Sequence, residues 1–141
     1  MDEKEGFDDD LEMIRQKRLK EMQKTIERRS ACTSQGITEI NELSLDDFIA
    51  ANRHAVIDLW AEWCGPCKKI APAMEELAAE FCGEVAFGKC NTDENQPIAM
   101  RFQISAIPTL LFFSGGQIAD RLTGAYPKEN IRKRIKSTFQ I

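Results

Sequence analysis

No stretch of the chain approaches the roughly 18 uninterrupted apolar residues that a membrane-spanning helix requires, so no membrane role is expected. The opening residues, MDEKEGFDDD, lack both the basic start and the apolar run of a secretory signal. The expected compartment is therefore a reducing cytoplasm. Positive charge is not in excess either: 19 Lys and Arg stand against 23 Asp and Glu, a net charge of −4. That balance argues against a protein built to neutralise nucleic-acid phosphates, and no nucleic-acid partner is expected. The single histidine, His54, has no triad partner in view and reads as a surface loop residue. There is only one C-x-x-C, with Pro66 inside it, which speaks against a zinc site built from Cys64, Cys67 and further cysteines. No metal and no cofactor is expected.

What is present fits a folded domain. Hydrophobic residues make up 43% and charged residues 30% of the sequence, close to globular averages, so wholesale disorder is a poor reading. A length of 141 residues accommodates one real core but not two domains of ordinary size. Residues 1–12 carry seven acids and one base, and residues 13–29 carry seven bases and two acids, an order that suits a helix macrodipole. No Gly or Pro interrupts Asp8 to Arg29, so a helix of about 20 residues is predicted there. Its apolar stripe, Leu11, Ile14, Leu19, Met22 and Ile26, is too narrow for a core helix. It reads as a solvated appendage, or as a docking helix for a partner or for a weak dimer of an otherwise monomeric chain. The small polar run SACTSQG, 30–36, marks the boundary. The division is thus 1–35, a charged helical extension and linker, and 36–141, the domain.

Within the domain, strands are predicted at 37–40, 55–60, 85–91, 109–114 and 117–122, the last two joined as a hairpin through Gly115 and Gly116. Helices are predicted from a Ser44 cap to Asn52, from Cys64 to about Phe81 with Gly83 as its closing residue, over 95–102, and from Lys128 onward. Pro72 should kink the long helix. The basic residues of the last helix, Lys128, Arg132, Lys133, Arg134 and Lys136, read as a solvated face. The fold class is α/β, a central mixed β-sheet flanked by helices and preceded by an extra N-terminal helix.

Five cysteines, an odd number at uneven spacing, do not suggest a disulfide scaffold. Cys64-Gly65-Pro66-Cys67 sits where a buried-type strand turns into a helix, the setting in which C-x-x-C reads as redox chemistry. Two intervening residues in a first helical turn bring the thiols within disulfide reach. Pro66 is tolerated there because first-turn amides have no intrahelical partner. At the helix N-terminus Cys64 is favoured as thiolate, which makes it the exposed nucleophile. Cys67, one turn further and shielded by the strand and Trp60, is the resolving thiol. Cys82 and Cys90 read as small core residues. Cys32, in the linker, is a candidate for a regulatory or intermolecular disulfide.

The segment DLWAEWCGPCKKIAP, from Asp58 to Pro72, closely resembles the active-site segment of the thioredoxin family. Lys89 in FGKCNTDEN, Ile107-Pro108-Thr109 and Gly124 recur in that family's order, and the resemblance covers about residues 36–141. It implies the thioredoxin fold and a dithiol–disulfide oxidoreductase that reduces protein disulfides and is recycled by an upstream disulfide reductase. The same resemblance implies that Asp58, in an apolar strand where burial raises a carboxyl pKa, accepts a proton near Cys67 with Lys89 as its charge partner. A buried Asp58–Lys89 ion pair without a catalytic role is the competing reading. Trp63, Gly65, Pro66, Ile107, Pro108 and Gly124 would line the substrate groove, Pro108 after a cis peptide and Ile107 offering its backbone to an extended segment. Trp63 as an ordinary boundary aromatic is the alternative there. A thioredoxin-like adaptor working through its N-terminal helix is the rival functional class, although such modules usually lack one of the two cysteines.

Overall fold

The computed structural model describes residues 15–18 and 36–141. Residues 15–18 are helical and exposed; the rest of the expected appendage helix, its apolar stripe and Cys32 lie outside the described residues. The domain runs β1 (Thr38–Glu39), α1 (Leu45–Ala51), β2 (His54–Trp60), α2 (Gly65–Glu80), β3 (Ala86–Asn91), α3 (Gln96–Arg101), β4 (Thr109–Ser114), β5 (Gln117–Thr123) and α4 (Lys128–Phe139). The five strands form one sheet in the order β1-β3-β2-β4-β5. β1, β3 and β2 are parallel, while β4 pairs antiparallel with both β2 and β5. Among the described residues no helix is long and apolar enough to cross a membrane.

β2 is buried from Ala55 to Leu59 because it has a neighbour on each side and helices over each face. The pleat sends alternate residues to opposite cores. Val56 with Leu110 and Phe112 of β4 packs against Ile70, Met74 and Leu77 of α2 and Ile131, Ile135 and Phe139 of α4. Ala55, Ile57 and Leu59 with Leu111 and Phe113 pack against Leu45 and Ile49 of α1, Ile98 of α3 and Phe102. By that alternation Asp58 belongs to the Val56 face, under α2.

Several local expectations are corrected. Ser44 does not cap α1 with its side chain. Asn41 fills that role one turn earlier, its Oδ1 accepting the N–H groups of Leu43 and Ser44 at 2.9 Å each, because Ser44 is itself in a helical conformation. α2 ends at Glu80 with Phe81 as its C-cap, and Gly83, at φ +83°, lies two residues beyond that cap, in the turn that leads to β3. Pro72 sits inside α2 without ending it. His54 is not a surface loop residue: it is half-buried as the first residue of β2, and its ring stacks on Phe139 at 4.5 Å. Nor is the basic face of α4 merely solvated. Lys128 meets Glu76 at 2.7 Å and Arg132 meets Glu80 at 2.8 Å, joining α4 to α2, while Arg134 pairs with Asp120 of β5. These are surface pairs, screened by solvent and of little weight in the stability of the fold. The hairpin is as expected, with Gly115 at φ +59° and Gly116 at φ +82°, the two positive values a tight two-residue turn requires.

Stability therefore rests on the two cores more than on the ion pairs. Phe112, with no exposed surface, is expected to cost about 3–5 kcal/mol when replaced by Ala. Ile118→Ala on the exposed side of β5 is expected to cost under about 0.5 kcal/mol. Urea unfolding of the two variants checks the contrast; equal losses would contradict this division of the packing.

Candidate active site

β2 delivers the chain to a turn in which the Cys64 N–H donates to the Ala61 carbonyl at 3.1 Å. Cys64 is the N-cap of α2, in an extended conformation, and its Sγ accepts the N–H of Cys67 at 3.2 Å. A thiolate at that position gains one of the donors that a helix N-terminus leaves unpaired. Cys64 and Cys67 are joined as a disulfide, their Cα atoms 5.3 Å apart. Gly65 and Pro66 are exposed at the rim of the turn, and a Cβ on Gly65 would meet nothing within 4 Å.

Exposure does not separate the two thiols as expected. Cys64 is only 4% exposed, against 3% for Cys67, because the two sulfurs cover one another and pack with Ala61, Trp60 and Ile107. Direction separates them instead. Cys64 faces the segment before β4, its Sγ 3.8 Å from the Ile107 carbonyl oxygen. Cys67 faces inward, lining a cavity of about 440 Å³ with Asp58, Trp60 and Lys89.

The Ile107–Pro108 peptide is cis. Pro108 is buried and Ile107 half-buried, and the segment is held by the Gly124 N–H on the Pro108 carbonyl at 2.8 Å and by the Thr109 hydroxyl on the Ala106 carbonyl. Gly124 adopts φ +114°, a conformation that side-chain-bearing residues rarely take. Among the described residues neither the N–H nor the carbonyl of Ile107 has a backbone partner, which leaves a short free edge beside Cys64. Trp63 is 72% exposed, its Nε1 donating to Asp93 Oδ2 at 2.9 Å. Asp93 was not legible in the sequence, because it lies 30 residues away in a loop and nothing in the spacing links it to the tryptophan.

Asp58 is 7% exposed, and among the described residues its Oδ1 has no hydrogen-bond partner. Burial pushes its carboxyl up to about 7, with the Lys89 charge working in the opposite direction. Lys89 stands opposite Asp58 in the β2–β3 ladder, but its ammonium also lies over the Trp60 ring, 5.7 Å from the centroid. Lys89 thus moderates the carboxylate without satisfying Oδ1, and desolvation wins. The remaining cysteines part ways. Cys90 is a buried free thiol pushed up to about 11, first by burial and then by the Glu42 charge. Cys82 departs from its expected role as a core thiol: it is half-buried and disulfide-bonded. Among the described residues no group of three or more His, Cys, Asp or Glu side chains is arranged to hold a metal.

The thioredoxin family model matches residues 36–137. Thioredoxin 1 of Chlorobaculum tepidum is 44% identical over 93 residues, 65% of this chain and 92% of its own length. The chloroplastic M-type thioredoxin of Spinacia oleracea is 42% identical over 101 residues, covering 71% of this chain but 56% of the spinach sequence. Among solved structures, a thioredoxin variant from Halobacterium salinarum superposes with a TM-score of 0.70 at 28% identity, over 75% of this chain and 93% of that one. A chain from a structure concerned with thiol resolution in yeast mitochondrial 1-Cys peroxiredoxin gives 0.66 at 33% identity, over 72% and 94%.

Asp58 has a consequence for stability that can be measured. An unfolded aspartate loses its proton near pH 3.8, whereas the folded protein keeps it to about 7. Between those values the folded state binds the extra proton, so stability falls as pH rises through the window and is level on either side of it. At about 1.4 kcal/mol per pH unit the fall is on the order of 4 kcal/mol. Asp58→Asn should abolish it, so the stability difference between variant and parent should grow in the variant's favour from pH 4 to 7. Parallel unfolding curves across that range would rule out a raised Asp58.

Proposed function

The chain belongs to the thioredoxin family and is a thiol–disulfide oxidoreductase, and from that premise we propose how its own residues divide the work of reducing protein disulfides. The observation that carries the division is the difference in what the two sulfurs face. Cys64, held at the N-terminus of α2 beside the free Ile107 backbone, is the attacking thiolate. It forms a mixed disulfide with one substrate sulfur and expels the other as thiolate. Cys67 then gives its proton to Asp58 through water in the shared cavity and attacks the Cys64 sulfur. The Cys64–Cys67 bond forms, the substrate sulfur held by Cys64 leaves as thiolate, and the Asp58 proton neutralises it. A carboxyl near 7 is suited to both directions of this transfer at neutral pH. Lys89 keeps the ionised form of Asp58 within reach.

Recognition falls to the surface around Cys64. An extended substrate segment adds to the free edge at Ile107, as a short strand would. Cis-Pro108 and Gly124 shape that edge, Trp63 covers one side of it, and Gly65 and Pro66 leave the approach to Cys64 open. The oxidised pair is returned to dithiol by an upstream disulfide reductase. The chain works as a monomer in a reducing cytoplasm, since one chain holds every group the exchange uses and a dithiol needs a reducing pool to be refilled. Residues 36–141 are the catalytic domain, and 1–35 an extension outside the chemistry.

Two experiments test this reading. Cys64→Ser should abolish insulin reduction, whereas Cys67→Ser should accumulate substrate as a mixed disulfide on non-reducing gels; trapping by Cys64→Ser instead would reverse the roles. A chain starting at Gly36, kept reduced, should match the full chain in insulin reduction and lie within about 1 kcal/mol of it in stability. A large loss of either would place residues 1–35 inside the functional fold.

A further inference from the structure

We propose that the cavity behind Cys67 is a binding site for a small amphiphilic carboxylate, whose head takes the place of the water that relays the Cys67 proton to Asp58 and so slows the resolving step. Among the described residues, Asp58 Oδ1 and Trp60 Nε1 are the buried side-chain polar atoms without a hydrogen-bond partner. Both residues line this one cavity of about 440 Å³, a volume within the roughly 300–1,000 Å³ of small-molecule sites. Each orphan group is costly to leave without a partner, and two of them in one cavity point to a polar occupant. Charge decides which kind. The Trp60 N–H can only donate, and the half-buried Lys89 ammonium lines the same cavity. Burial keeps the proton on Asp58 up to about 7, which supplies an O–H as well. Donors and a positive charge call for an acceptor with negative charge, so a carboxylate head fits where an ammonium head would not.

The rest of the lining accommodates an apolar tail. Cys67, Ala71, Met74 and Ala79 recur at helical spacing along one side of α2, with Ile37 in the same lining. From Cys67 to Ala79 is about 18 Å along the helix. Asp58 and Trp60 stand near the end of β2, close to the first turn of α2, so the polar groups gather at the Cys67 end and the tail runs towards Ala79. The charged groups around the head are Lys89 of β3 and Lys68 and Glu75 of α2, with Glu39 of β1 opposite Lys89 in the ladder. β4 sets Leu110 opposite Asp58, and among the described residues α4 adds nothing to the lining. Glu39, Lys68 and Glu75 are exposed, where solvent screens them, so Lys89 dominates the head. An ionised Asp58 would repel the carboxylate, and binding therefore weakens as pH rises through the titration of Asp58. With the head in place, Cys64 still attacks, but Cys67 has lost its path to a proton acceptor and the chain dwells as the mixed disulfide. This kinetic consequence rests on the dithiol reading above, whereas the binding does not.

The test is calorimetric titration of the full-length chain with octanoate, and with octanamide as its uncharged counterpart. Octanoate should bind at pH 6 and about tenfold more weakly at pH 8, the ratio expected when the anion is taken only while Asp58, titrating at about 7, keeps its proton. Octanamide should bind more weakly than octanoate at pH 6 and equally at the two pH values. Lys89→Gln should weaken octanoate by about tenfold or more. Ala71→Phe, made at an exposed position of α2, fills the tail stretch and should abolish octanoate binding while leaving insulin reduction without ligand unchanged. Absence of octanoate binding, equal binding of the amide, or binding that survives Ala71→Phe would overturn the site. For the consequence, reduced chain is rapidly mixed with a peptide disulfide at pH 7, with and without saturating octanoate, and quenched in acid. The mixed disulfide should form at the same rate and persist several-fold longer when octanoate is bound; an unchanged lifetime would overturn the effect on resolution. Insulin reduction by the same preparation without octanoate distinguishes failure of the dithiol reading from failure of this one.

Discussion

The burial of β2 on both faces and both edges is the constraint on which the rest of the domain depends. A strand with β3 on one side and β4 on the other has all its backbone groups paired, so it can be surrounded by apolar cover without leaving polar backbone stranded. Its side chains then have to serve two cores at once, which is why it reads as a nearly continuous hydrophobic run. Whatever follows such a strand emerges at the carboxyl end of the parallel part of the sheet, where open α/β sheets present their reactive groups. Here it is the first turn of α2. The rigidity of β2 beneath that turn, and the packing of Ile70, Met74 and Leu77 behind it, hold the N-cap sulfur against the Ile107 segment.

Asp58 breaks that apolar run, and the cost is informative. A carboxyl with an unpartnered oxygen in the core gains nothing from packing that an apolar residue of the same size would not gain more fully. Lys89, the opposing charge that faces it, is shared with the Trp60 ring. The site is thus less stable than the sheet around it would permit. In return it holds a group that changes protonation near neutrality, where an exposed aspartate does not. Such local losses are expected where chemistry rather than folding sets the residue.

What could be seen in advance follows the range of the signal. β2, α2 and the Gly115–Gly116 hairpin were legible because their signals are local: a run of apolar residues, a Cys-Gly-Pro-Cys helix start, two adjacent glycines between strands. The resemblance around Cys64 supplied Asp58, Lys89 and the Ile107–Pro108 segment, since each lies in a recognisable stretch. Features set by distant pairing were not legible. The Trp63–Asp93 hydrogen bond, the stacking of His54 on Phe139 and the Arg132–Glu80 bridge join residues between 30 and 85 positions apart, and no periodicity records them. The Ser44 cap failed for a subtler reason. Two capping-type residues, Asn41 and Ser44, stand one turn apart, and the first had already turned the chain. The burial of Cys64 was missed because a helix N-terminus is ordinarily open to solvent, and only the fold brings Ile107 over it.

α2 also explains why attack begins at one sulfur and not at another. Its N-terminal end offers unpaired N–H groups to Cys64, and its C-terminal end offers unpaired carbonyls near Cys82. The same dipole that favours negative charge on the first sulfur disfavours it on the second. Attack therefore originates at Cys64, the sulfur that the N-terminal end of α2 favours as thiolate. One helix, by its polarity alone, thus places the reactive sulfur at the end that meets the Ile107 segment.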